Sequence, residues 1–212
     1  MKNSAILILF FTNILLSPTI MNGQDSDQSR MRLGLTASFE NNISSETIFF
    51  DDVTGFSADY DTSNYRFGLN LEYFFKSKLT INTAINYSNN DFTGTYFCFV
   101  CDFAAPPDPE DVNFRFIEVP ITMKYYFLPG KFKLFAEAGF NNLFALNNLG
   151  YDARKNSYIL GLKAGGGVEF SLSQQLALQF KVDFDNSSSR VLKDSDFALE
   201  SLHIGFGLFK RL

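Results

Sequence analysis

The chain is poor in the residues that carry most enzyme and metal chemistry. It has one histidine, two cysteines and no tryptophan in 212 residues. A closed zinc site needs four ligands; Cys98, Cys101 and the distant His203 do not supply them, so no metal or cofactor is expected. Charge is scarce as well. Asp, Glu, Lys and Arg make up 19%, against about 25% in ordinary soluble proteins. The balance is acidic, at −5, and phosphate binding needs a basic footprint, so nucleic acid is excluded as a partner. Only one long apolar run exists, near the start. Beyond residue 30 no stretch keeps the 3.6-residue apolar period of an amphipathic helix.

Phenylalanine and tyrosine are abundant instead, at 26 and 9 residues. Strands and membrane interfaces use such a load. Hydrophobic residues reach 46%, which rules out a disordered chain, and this length suits one all-β barrel domain.

The apolar run at residues 5–16 follows Lys2 and precedes Ser17, Pro18 and a small residue, Gly23. A positive start, a short apolar stretch and a small residue before the cut make a secretory signal. The run falls short of the roughly 20 residues that a spanning helix needs. Residues 1–23 are therefore read as a signal peptide, 24–30 as a short linker and 31–212 as an outer-membrane β-barrel domain.

Apolar residues then alternate with period two in eight runs: 31–39, 65–75, 79–87, 117–127, 132–140, 158–170, 176–184 and 202–208. Tyr65, Phe67, Leu69, Leu71, Tyr73 and Phe75 show the pattern. Short connections at 76–78, 128–131 and 171–175 interleave with long ones at 41–63, 89–116, 142–157 and 185–201. That is the organisation of an eight-stranded antiparallel up-and-down transmembrane β-barrel, with short periplasmic turns and long extracellular loops. The location it implies is the outer membrane of a Gram-negative bacterium.

Alternation alone does not say which face is inside. Three features put the apolar face toward lipid. The stripes are too bulky for the interior of an eight-stranded barrel. The opposite face carries Gly34, Gly68, Gly139, Gly161, Gly165, Gly167, Gly205 and Gly207, which relieve crowding in a narrow lumen. Aromatics gather toward the stripe ends, as in Tyr65, Tyr73, Phe75, Tyr125, Phe127 and Phe170, like headgroup-level girdles.

The inward face holds Arg32, Arg66, Lys124, Lys133, Lys163 and Lys181 with Glu40, Glu72, Glu118, Glu137, Glu169 and Asp183. Unpaired charges in such a space would be costly, so the expected arrangement is a network of ion pairs that plugs the lumen. A proton or ion relay is the competing reading, and an open diffusion pore is not expected.

The fourth run reads Phe116-Ile-Glu-Val-Pro-Ile-Thr-Met-Lys-Tyr-Tyr-Phe127. With Phe135-Ala-Glu-Ala-Gly-Phe140 and the closing Gly205-Phe-Gly-Leu-Phe209, it resembles the PorT-like outer-membrane β-barrel family of Bacteroidetes, over residues 30–212. The resemblance implies an outer-membrane barrel without assigned catalytic residues, in a family whose name-giver serves a type IX secretion apparatus. Pro120 lacks a ladder donor, so a bulge or local break is expected there.

Ser201 and His203 are the only hint of catalysis. Some small outer-membrane barrels are lipid A deacylases, but here both side chains would face the lumen, and spacing places no acid beside them. A nucleophile needs a base and an orienting group, so no enzyme is expected. Cys98 and Cys101, exported and three apart, read as a short-loop disulfide. The loops at 41–63 and 89–116 are acidic, through Asp51, Asp52, Asp91 and Glu110 among others. Solvation is the plain reading and divalent-cation binding the other.

The expected contacts are outer-membrane lipid and lipopolysaccharide around the barrel, and a protein partner on those two loops. In the second, Phe92, Tyr96, Phe97, Phe99 and Phe103 gather near the cysteine pair. Phe97 and Phe99 are the candidate recognition residues; the alternative has the rings extending the girdle or packing over the barrel mouth. The expected function is a non-enzymatic barrel acting in envelope structure or surface interaction. The alternatives are a subunit of a type IX secretion-like machine or a lipid A-modifying enzyme.

Overall fold

The computed structural model describes residues 30–60, 63–102, 107–128, 130–146, 156–192, 195 and 197–212. The expected signal peptide and residues 24–29 of the linker lie outside the described residues. In chain order the strands are β1 (Met31–Asn42), β2 (Thr47–Phe49), β3 (Thr54–Asp59), β4 (Asn64–Lys76), β5 (Leu79–Asn89), β6 (Phe92–Cys98), β7 (Glu110–Val112), β8 (Arg115–Tyr126), β9 (Phe132–Ala145), β10 (Tyr158–Ser171), β11 (Leu176–Ser187) and β12 (Glu200–Arg211).

Eight of them close an antiparallel barrel in the order β1-β12-β11-β10-β9-β8-β5-β4. Each barrel strand pairs with the previous and next barrel strand, and β1 closes on β12. The register stacks apolar residues into one outward band. Leu35 stands opposite Leu69 on β4 and Leu208 on β12, and Leu69 stands opposite Ile85. Phe39, Ile85 and Phe206 are 74%, 62% and 54% exposed. A belt of such side chains would be strongly unfavourable in water and is what a bilayer covers. Aromatic pairs mark both rims. Phe67 and Tyr87 (5.4 Å) and Phe144 and Tyr158 (5.4 Å) lie toward the loop end, with Tyr73 and Phe75 (5.0 Å) and Tyr125 and Phe127 (5.2 Å) toward the turn end.

Two backbone features are local. In the turn between β8 and β9, Gly130 has φ of +119°, a conformation open to glycine and costly for residues with a Cβ. At Pro120 the β5–β8 ladder lapses. Pairing runs from Leu79↔Tyr125 to Thr83↔Ile121 and resumes at Asn86↔Glu118 in unchanged register. The missing N–H thus makes a break and no bulge, and Thr83 Oγ1 bridges the edge by donating to the Pro120 carbonyl (3.0 Å).

The long connections at 41–63 and 89–116 are not plain loops. They build a second, four-stranded sheet in the order β2-β3-β6-β7, with Thr54 opposite Cys98 and Phe92 opposite Val112. Beneath it lies an apolar core that includes Ile48, Phe56, Phe92, Phe114, Phe116 and Leu199. Strands β8, β9 and β10 and the residues Val191, Leu192, Phe197 and Leu199 contribute to the same core, so it caps the loop end of the barrel. Tyr60 joins it at its edge: its hydroxyl donates to the Ser45 carbonyl (2.8 Å), and burial pushes that phenol above the ordinary tyrosine range.

Candidate functional site

Inward parity on six of the eight barrel strands brings the charged residues together in two clusters. At the turn end, Arg32 donates to Glu72 and grips Glu169 through Nη1–Oε1 (2.9 Å) and Nη2–Oε2 (2.8 Å). Lys124 takes the other oxygen of Glu72 and also reaches Gln179 Oε1 (3.1 Å). Tyr126 accepts from Arg32 (2.6 Å) and donates to Glu169 Oε2 (2.9 Å), and Lys133 completes the group on Glu169 Oε1 (2.9 Å). Aromatic faces line the same layer. Arg32 lies 4.7 Å from the Phe74 ring centre and Lys124 lies 4.5 Å from that of Phe135.

The bridge to the second cluster is Lys181, between Glu137 (3.4 Å) and Asp183 (2.9 Å). At the loop end Arg66 contacts Glu118 (3.1 Å), Asp183 (3.1 Å) and Asp185 (2.7 Å). Lys163 contacts Asp183 (3.2 Å) and Asp185 (3.1 Å). Glu40 stands apart: among the described residues no lysine or arginine reaches it at ion-pair distance, its close contact is His203 at 3.6 Å, and Arg66 acts on it only from farther off.

Most of these side chains are buried, Glu72 and Glu169 fully so. A buried ion held at several points tolerates its burial only while its partners remain. Space is filled as tightly. The Phe209 ring lies so close to β1 and β12 that a Cβ on Gly34 would stand 2.5 Å from it and one on Gly207 2.6 Å.

Sequence reasoning missed Asp185, Tyr126 and Gln179. All three sit on inward parity: Asp185 lies one step past Phe184, where the apolar run ends, whereas Tyr126 and Gln179 lie inside the runs 117–127 and 176–184 but carry no charge, and the inward reading took charges alone. It also placed no acid beside His203. The structure puts Asp185 Oδ2 3.1 Å from His203 Nε2, because β11 and β12 pair Asp183 with His203 and the next inward residue leans across. Ser201 Oγ donates to Asn90 Oδ1 (3.2 Å). Both Ser201 and His203 are sealed inside the barrel.

On the extracellular sheet, Cys98 and Cys101 form a disulfide with Cα atoms 5.4 Å apart. The expected loop aromatics divide. Phe92 is buried in the mouth core and Tyr96 packs on it, whereas Phe99 is 70% exposed and Val100 beside it 75%. Phe97 is half-buried and touches Phe99 (5.1 Å) and Phe49 (5.5 Å). Phe103 lies outside the described residues. Several loop acids are engaged by the backbone: Asp51 Oδ1 accepts from the Val53 N–H (2.9 Å) and Asp91 Oδ1 from the Phe114 N–H (3.0 Å).

Solved structures share this architecture. OprG from Pseudomonas aeruginosa is 14% identical with a TM-score of 0.60, covering 88% of this chain and 99% of that one. Neisserial surface protein A is 12% identical with a TM-score of 0.58, covering 88% and 100%. Outer membrane protein W of E. coli is 13% identical with a TM-score of 0.51, covering 88% and 99%. At these identities the likeness is one of fold. No curated protein matches the chain. The family model for the outer membrane protein beta-barrel domain matches residues 12–208, and the chain belongs to that family, a small barrel of the outer membrane.

Proposed function

We propose that this protein is a non-enzymatic, non-conducting platform of the cell envelope whose extracellular sheet holds a partner protein against Phe49, Phe97 and Phe99. The observation that carries the reading is the exposed ring cluster, 5.1–6.5 Å between centres, beside a disulfide that restrains its strand end. Exposed rings in mutual contact are anchors that lose little entropy when a partner docks. The multiply paired lumen supports the plug. The sealed positions of Ser201 and His203 argue against work on a lipid substrate.

The test is photo-crosslinking from position 99 in native outer membranes. A discrete protein adduct is expected, lost when Phe97 and Phe49 are replaced by serine while the barrel keeps its heat-dependent gel mobility. Adducts to lipid alone would make the rings part of the girdle and end the reading. Unchanged lipid A mass spectra in a deletion strain are expected, and altered spectra would restore the enzyme.

A narrower reading, membership of the PorT-like barrels and service to a type IX secretion-like machine, rests on the resemblance of 116–127 and the two later segments. Secretion components co-purifying from native membranes would favour it over an independent platform.

A further inference from the structure

At the loop end of the lumen lies a cavity of about 10 Å³, walled by Glu40, Asn90, Asn141 and His203, by Glu118, Asp185 and Ser201, which are engaged with other groups, and by Leu143 and Leu199 of the mouth core. That space suits one water, provided polar partners converge on it. Four of the wall's side chains are more than nine-tenths buried and each has an atom without a hydrogen-bond partner: Glu40 Oε2, Asn90 Nδ2, Asn141 Oδ1 and His203 Nδ1.

The far ends of three of them are already engaged, and for Asn141 and His203 the acceptor-only partner fixes what each presents. Asn141 Nδ2 donates to Glu118 Oε2 (3.2 Å), so its oxygen faces the cavity. Asn90 is oriented with Oδ1 on the Ser201 hydroxyl (3.2 Å), which leaves its amide N–H₂ unpartnered. His203 Nε2 lies 3.1 Å from Asp185 Oδ2, and a carboxylate only accepts, so Nε2 carries a proton.

The inventory of the four atoms then depends on one further proton. Without it, Glu40, Asn141 and Nδ1 are three acceptors facing one donor, and a water has only two hydrogens to give. With it, on either Nδ1 or Glu40 Oε2, two donors face two acceptors, which matches a water. The charges agree. Arg66, Lys163 and Lys181 serve Glu118, Asp183 and Asp185. Among the described residues none of the three cations pairs with Glu40, whose partner is His203 Nδ1 at 3.6 Å.

We propose that this cavity binds one water molecule, held by Glu40, Asn90, Asn141 and His203, and that Glu40 and His203 share one proton there. The water joins β1, β9 and β12 to Asn90, which with Asp91 links barrel strand β5 to the extracellular strand β6. The inference is independent of the partner-docking reading.

The chain has a single histidine, so the test is nitrogen-15 NMR of the imidazole, on the full protein purified without a histidine tag and embedded in lipid bilayers. The expected spectrum shows magnetisation transfer from a slowly exchanging water to the ring, and an Nδ1 signal displaced from that of an unprotonated imidazole nitrogen at neutral pH. In Glu40→Gln the Nδ1 signal moves to the unprotonated position. In Asn141→Leu the water transfer is lost. A wild-type ring without water transfer overturns the water. A wild-type Nδ1 signal that is already unprotonated, and matches Glu40→Gln, overturns the shared proton. A ring signal that moves when sodium replaces potassium shows a cation there and overturns both. The wild-type spectrum decides each point even if a variant fails to fold.

Discussion

Arg32 and Glu169, 137 residues apart in sequence, meet across the lumen in a two-point contact at 2.9 and 2.8 Å. The pairing is possible only after β1 has closed on β12, so this contact reports a finished barrel. Arg32→Ala leaves Glu72 and Glu169 buried with fewer partners. A loss of about 3–5 kcal/mol is expected from removing one member of a buried charge network, read by urea unfolding in liposomes. Adding Glu169→Gln to Arg32→Ala should recover part of it. A single variant as stable as wild type would show that the network does not hold the barrel.

Leu69 tests the outward face. It sits in the apolar band between Leu35 and Ile85, and an arginine near the bilayer midplane costs about 2–4 kcal/mol. Leu69→Arg should weaken insertion by that amount in the same assay. Wild-type stability would invert the face assignment.

Lumen packing is tested at Phe209. Gly34→Val places a side chain against its ring, and overpacking of this kind costs about 1–3 kcal/mol. Combining Gly34→Val with Phe209→Ala should be less destabilising than the two separate losses added together. Strict additivity would mean the ring and the glycine are not in contact.

The cysteine pair has a chemical test. Cys98 and Cys101 are joined, so the purified protein should take up no thiol-alkylating label until it is reduced, and two labels afterwards. Labelling before reduction would show free thiols.

The barrel was legible in the sequence because each spanning strand separates lipid from lumen, and that contrast prints a period of two over seven or more residues. The extracellular sheet was not. Strands β2 and β7 are three residues long, too short for any period to register. Moreover, β3 alternates buried and exposed residues only over Phe56–Asp59, too few for the period to stand out, and it pairs with β6 across residues distant in sequence. Phe92 read as a loop aromatic for the same reason, although its burial belongs to the mouth core. Within the lumen, parity located the charges, yet it carries no information on partners. Glu40 looked like any other inward acid, and only the three-dimensional register sets it beside His203 instead of Arg66. Asp185 was lost where the apolar stripe stops at Phe184 while the strand itself runs on to Ser187.

The central claim is a barrel whose lumen is closed by paired side chains, and planar-bilayer recording of the purified protein tests it most directly. The account predicts no steady ion conductance for the wild type. Large, stable, porin-like steps from the intact protein would contradict it.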